Sequence, residues 1–145
     1  MQPSMVYSKT GVQLTERFEG VRLEAYQDSG GVWTIGFGHT FEVTEGMTCT
    51  LAQAAAWLFN DTQVAQADVN KYVTVTLTQG EFDALVDFAF NLGRGNLNNS
   101  TLLKDINAGN FAAAADEFVK WDRCGGIVVA GLLRRRLAEH QEFAS

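Results

Sequence analysis

The chain has 145 residues, with 11 Lys and Arg against 17 Asp and Glu, two Cys, one Pro and 46% apolar side chains. That length suits one domain, or two small lobes sharing a chain, and an apolar share this high with only 19% charged residues excludes a disordered polymer. The net charge of −6 argues against nucleic acid as a partner. No stretch approaches the roughly 18 consecutive apolar residues of a membrane span, and MQPSMVYSKTGVQL at the front lacks the apolar run of a signal peptide or membrane anchor.

In chain order, a first helix is predicted from about Lys9 to Glu19, with Ser8 to cap it and Gly20 to end it. From Leu23 to Thr40 the texture changes. Tyr26, Val32, Trp33, Thr34, Ile35 and Phe37 are interspersed with Gly30, Gly31, Gly36 and Gly38, which reads as a hairpin or three-stranded sheet turning at Asp28-Ser29-Gly30-Gly31. Thr50 and Gln53 form a capping box that opens a long helix to about Tyr72, apolar along Leu58, Ala65, Val69 and Tyr72. Thr78 and Glu81 form a second, opening an apolar helix to Leu92 that stops at Gly93. Further helices are predicted near Thr101–Ala108, Phe111–Lys120 and Leu132–Phe143. The expected fold class is α+β, mostly α. A small N-terminal β-sheet lobe (about 9–50) leads through a connecting helix (about 51–72) into a helical lobe (about 73–145), with a cleft between the lobes. Cys49 and Cys124 lie in no metal-ligand spacing; free thiols are expected, with one bridge between distant segments left open.

The chemistry concentrates in residues 19–40. Glu19 falls at the C-terminal end of a helix, where the macrodipole presents its negative pole and, with burial against aromatic neighbours, favours the uncharged acid. Asp28 sits in a Gly-rich turn, open to water and to N–H donors, which favours the ion. Two carboxyls in environments that push them apart suit an acid/base division of labour. Thr34, six residues past Asp28, can aim a hydroxyl into the same space.

Glu19, Gly20, Leu23, Tyr26, Asp28, Thr34, Ile35, Gly36, Gly38 and His39 match the pattern Glu-Gly-x-x-Leu-x-x-Tyr-x-Asp followed by Thr-Ile-Gly-x-Gly-His. In these residues, and in Phe90-Asn91, Trp121 and the run Arg134–Arg136 with Glu139, the chain resembles the phage-type lysozymes, the endolysins of glycoside hydrolase family 24. The resemblance implies a two-lobe lysozyme-like fold and hydrolysis of the β-1,4 bond between N-acetylmuramic acid and N-acetylglucosamine in bacterial peptidoglycan, with inversion. It implies Glu19 as general acid, and Asp28 with Thr34 to stabilise the oxocarbenium-like transition state and position the attacking water. Phe90 and Asn91 match positions that line the saccharide cleft in that family. His39 is expected to be structural. One arginine of the 134–136 run, Arg135 for choice, is expected to reach and orient Glu19. No metal or cofactor is expected. The partner is peptidoglycan, with no nucleic acid and no membrane anchor. The protein is expected to act as a monomer, held in the host cytoplasm until a separate pore-forming protein releases it to the wall. A lytic transglycosylase and a non-catalytic wall-binding module are the alternatives.

Overall fold

The computed structural model describes residues 3–145. The chain divides into two compact units, one of residues Val12–Val64 and one that joins the stretch up to Gly11 with Ala65–Ser145.

Helix α1, Lys9–Glu19, leads into the first unit. It starts where the Ser8 hydroxyl accepts the Gly11 N–H at 3.2 Å and ends where the Gly20 N–H donates to the Glu16 carbonyl at 3.0 Å. Strands β1, Arg22–Gln27, and β2, Trp33–Gly36, follow as an antiparallel hairpin with Tyr26 opposite Thr34 and Gln27 opposite Trp33. Where a third strand was an open alternative, the structure has a short bridge along β1. The Ala25 N–H donates to the Met47 carbonyl at 2.8 Å and the Cys49 N–H to the Leu23 carbonyl at 2.9 Å. Helix α2, Leu51–Tyr72, is opened by the predicted capping box, Gln53 N–H to Thr50 Oγ1 at 3.1 Å and Thr50 N–H to Gln53 Oε1 at 2.8 Å. Ile35, Phe37, Ala54 and Leu58 are among the buried apolar residues of this unit. Gly36 is required there: its φ is +67°, and an added Cβ would lie 3.1 Å from the Ala54 Cβ, so a side chain would push β2 off the helix.

The second unit is helical. Helix α3, Gln79–Leu92, begins with the predicted Thr78/Glu81 capping box and is followed by α4, Arg94–Asn99, α5, Thr101–Asn107, and α6, Phe111–Glu117. A 3-10 turn, Phe118–Lys120, leads to a two-stranded hairpin, β3 Arg123–Cys124 and β4 Ile127–Val128, and then to α7, Ala130–Phe143. Helix α3 is apolar enough to be buried along most of its length and packs chiefly on α7. Phe88 meets Phe118 and Trp121 edge to face at centroid distances of 5.7 and 5.5 Å. Phe88 and Phe118 are fully buried, and each contributes about 1.5–3 kcal/mol of transfer free energy. The N-terminal segment is tied into this unit by amide side chains. Asn70 accepts from the Met5 N–H and donates to the Met5 carbonyl, both at 2.9 Å, and Gln66 accepts from the Tyr7 N–H at 2.8 Å. The Ser8 hydroxyl donates to Asp83.

Three elements differ from expectation. Helix α4 resumes directly after Gly93, because Asn96 and Asn99 donate back to the carbonyls of Leu92 and Gly95 and supply polar residues with helical partners. The β3–β4 hairpin turns on Gly125-Gly126, whose φ values of +60° and +82° suit a tight two-residue turn. Helix α7 begins two residues before Leu132. Cys49 and Cys124 are both free thiols. Among the described residues, no helix is long and apolar enough to cross a membrane.

Candidate active site

Glu19, Asp28 and Thr34 all fall in the Val12–Val64 unit, on α1, the hairpin turn and β2. Glu19 is the last residue of α1 and is half-buried. Its carboxyl lies against the backbone just after β2, since a Cβ built on Gly38 would stand 2.9 Å from Glu19 Oε1. Gly38 also has a φ of +85°, so both the space and the conformation at that position call for glycine. The close approach explains the Gly-x-Gly spacing that a strand would otherwise avoid.

Asp28 is exposed, and its Oδ1 accepts N–H groups from Gly30 and Val32, each at 2.9 Å. The backbone closes the same turn, Asp28 N–H to the Val32 carbonyl and Gly31 N–H to the Asp28 carbonyl, each at 2.9 Å. One carboxylate oxygen therefore builds the turn, and Oδ2 is left to face a ligand. Thr34 is buried, and its hydroxyl donates to the Val32 carbonyl at 2.9 Å. With its proton committed there, Thr34 Oγ1 meets any further partner as an acceptor. Asp28 and the Glu19 contact at Gly38 thus lie toward opposite ends of β2, a four-residue strand about 10 Å long.

His39 is buried, bonds Asp61 through Nδ1 at 2.8 Å and stacks on Trp57 at 4.8 Å with planes 9° apart. Trp57 and Asp61 are four apart on α2 and face the same ring; neither was singled out from sequence, and that spacing was the available signal.

Phe90 and Asn91 lie in the helical unit, half-buried at the end of α3. Asn91 Oδ1 accepts from Arg136 Nη2 at 2.7 Å. The arginine run does not lie on one solvated face: Arg134 is exposed, whereas Arg135 and Arg136 are buried. Arg135 forks onto Asp87, Nε to Oδ2 at 2.9 Å and Nη2 to Oδ1 at 2.8 Å. Arg136 pairs with the fully buried Glu139, Nε to Oε1 at 2.8 Å and Nη2 to Oε2 at 3.0 Å. Burial, and then a hydrogen bond from the protonated Glu139 to Asp87, push the Glu139 carboxyl well above its ordinary range, and burial lowers Arg136. Asp87 was missed as a partner because nothing near it in the chain points to Arg135, 48 residues away. Among the described residues, no group of His, Cys, Asp and Glu side chains is placed to hold a metal ion.

A half-buried helix-end carboxyl against a glycine backbone, beside a hairpin carrying an exposed Asp and a buried Thr, is a lysozyme-type arrangement. The solved muramidase domain of SpmX from Asticaccaulis excentricus shares the fold, with a TM-score of 0.92 at 39% identity over 97% of this chain and 98% of that one. The endolysin of Acyrthosiphon pisum secondary endosymbiont phage 1 is 39% identical over 145 residues, 97% of this chain and 99% of that protein. The endolysin of Bacillus phage B103 is 42% identical over 142 residues, 96% of this chain but 54% of that protein, so the chain spans about half the length of that relative. The phage lysozyme family model matches residues 16–139. The chain belongs to the phage lysozyme family.

Proposed function

We propose that this protein is an endolysin, a muramidase that hydrolyses the β-1,4 bond between N-acetylmuramic acid and N-acetylglucosamine in bacterial peptidoglycan. The observation that carries the reading is the pairing of a Glu19 carboxyl pinned at Gly38 with an Asp28 carboxylate built into the hairpin turn, one short strand apart. Glu19 gives its proton to the glycosidic oxygen as the bond from the anomeric carbon breaks. Asp28, through Oδ2, stabilises the positive charge that develops on the sugar. Water then adds to the opposite face, held by Asp28 and accepted by Thr34 Oγ1, and loses its proton to the Asp28 carboxylate. This route inverts the anomeric centre and suits carboxyls roughly 6.5–9.5 Å apart, where a retaining enzyme needs about 5–5.5 Å. Phe90 and Asn91 contact the glycan, and His39 holds the hairpin to α2. The enzyme acts as a monomer and requires no cofactor. Its substrate lies beyond the inner membrane, and a separate pore-forming protein releases it there from the host cytoplasm.

Turbidity loss of permeabilised cells tests the reading. Wild type should lyse them, and Glu19→Gln should slow lysis by about 10²–10⁴-fold, the usual worth of a general acid. Equal behaviour of the two would leave only a wall-binding module. The products should carry a reducing end; an anhydro-sugar would identify a lytic transglycosylase instead. Lysis by protein expressed without a pore-former would overturn the release step.

A further inference from the structure

The Val12–Val64 unit carries a cavity of about 340 Å³ that no step of the proposed reaction uses. His39 lines it, and in the chain His39 directly follows Gly38, the seat of the Glu19 carboxyl. Phe41, Met47 and Trp57 give the cavity apolar walls, and Glu42 and Asp61 give it two carboxylates. None of the lining residues is a lysine or an arginine.

The His39 ring shows what kind of group belongs there. It is only 9% exposed, lies 2.8 Å from Asp61 Oδ2 through Nδ1, and is stacked flat on Trp57. An ionised carboxylate only accepts, so the neutral ring carries its proton on Nδ1 and keeps a lone pair on Nε2. Among the described residues that nitrogen has no hydrogen-bond partner. Asp61 engages His39 through Oδ2 and has Oδ1 left over. Glu42 adds a third acceptor. It is the one residue other than glycine among the described residues with a positive φ, +56°, so a carboxylate stands where glycine would be less strained. Phe41, 72% exposed, leaves a large ring in water beside it. Three acceptors, two aromatic rings and no competing lysine or arginine match a ligand group with three N–H donors, a positive charge and an apolar stem.

Resting on the functional reading above, we propose that this cavity binds a primary ammonium on an aliphatic stem, supplied by the wall as the free amine of a diamino acid in the stem peptides of peptidoglycan. Its N–H groups reach His39 Nε2, Asp61 Oδ1 and the Glu42 carboxylate, and its methylenes lie along Trp57, Met47 and Phe41. A chain with a net charge of −6 gains no attraction from anionic wall polymers, and the amine gives it a cationic handle on the same substrate. The cavity holds the wall and takes no part in breaking the glycosidic bond.

The test is an NMR titration with Nα-acetyllysine amide at about pH 8, where a lysine amine stays charged. It is followed at the Trp57 indole N–H and the backbone N–H groups of Phe41 and Glu42. These signals should shift with a Kd on the order of 1 mM. The Nε-acetylated twin keeps the stem and loses the charge, and should leave them in place. Glu42→Gln, a change at an exposed side chain, should weaken binding about threefold, the worth of an exposed charge pair. Walls with acetylated amines should be lysed with a higher KM and the same kcat, and Glu42→Gln should narrow the gap between treated and untreated walls. If the signals ignore the lysine amide, or move equally with its acetylated twin, or if treated and untreated walls are lysed alike, the inference fails. Such failure with Glu19-dependent lysis intact leaves the functional reading standing. A wild type that responds to the amine yet lyses no walls removes that reading and, with it, the wall as the source of the amine.

Discussion

In the Val12–Val64 unit, Asp28 is held by N–H groups two and four residues away, and Glu19 rests on backbone that only glycine can supply. In the helical unit, Arg135 is held by Asp87, 48 residues away, and Asn91 by Arg136, 45 residues away. The hairpin fixes its polar groups with local backbone and keeps Asp28 wet. The helices fix theirs with charges taken wholly out of water. The first strategy demands particular conformations at a few positions, and the second demands that every buried charge find its partner. The two regions should therefore fail differently when altered.

Of the changes that set the two regions apart, the largest effect is expected from Asp28→Asn. The amide oxygen can still accept from Gly30 and Val32, so unfolding free energy should change by less than about 0.5 kcal/mol. Loss of the negative charge facing the developing cation should lower turnover by about 10²–10³-fold. Denaturant melts beside lysis rates check both halves; a variant that unfolds readily would show that the turn needs the charge itself. Gly38→Ala should combine strain with displacement of Glu19. A left-handed backbone costs a non-glycine residue about 1–2 kcal/mol, and the methyl would fall 2.9 Å from Glu19 Oε1. Stability and lysis should drop together, and loss of neither would mean the carboxyl is free to move aside.

The third prediction sharpens the comparison from the helical side. Glu139 has a carboxyl pushed well above its ordinary value of 4.5 by burial. Between pH 4.5 and that raised value, the unfolded chain has released this proton while the folded one keeps it. Folding is then opposed as pH rises, by about 1.4 kcal/mol per pH unit from this group. Glu139→Gln removes the term, so its urea midpoint should decline less steeply than that of wild type as pH rises above 4.5. Parallel slopes would mean that Glu139 is ionised in the fold.

What was legible in the sequence follows the same division. The Asp28 turn and the caps at Ser8, Thr50 and Thr78 were readable because each device closes within four residues. The hidden parts depend on distant partners or on a residue doing two jobs. Gly93 was read as a stop, yet it ends α3 and also begins α4. From the run Arg134–Arg136 one arginine was expected to reach an acid, and only the path of α7 past Asp87 and Asn91 shows that two of the three are buried. The Gly125-Gly126 turn stands between strands of two residues each, too short for a period-2 pattern to announce them.

The straps from Met5, Tyr7 and Ser8 to Asn70, Gln66 and Asp83 carry a consequence for synthesis. Met5, Tyr7 and Ser8 leave the ribosome before their hydrogen-bonding partners, which are translated 59 to 75 positions later. Until then the segment has nothing to dock on, and the helical body cannot complete itself from its own contiguous stretch. Cutting the gene at codon 65 would therefore yield a body missing one of its seams, and a permuted gene that carries the opening residues onto the far end would restore it.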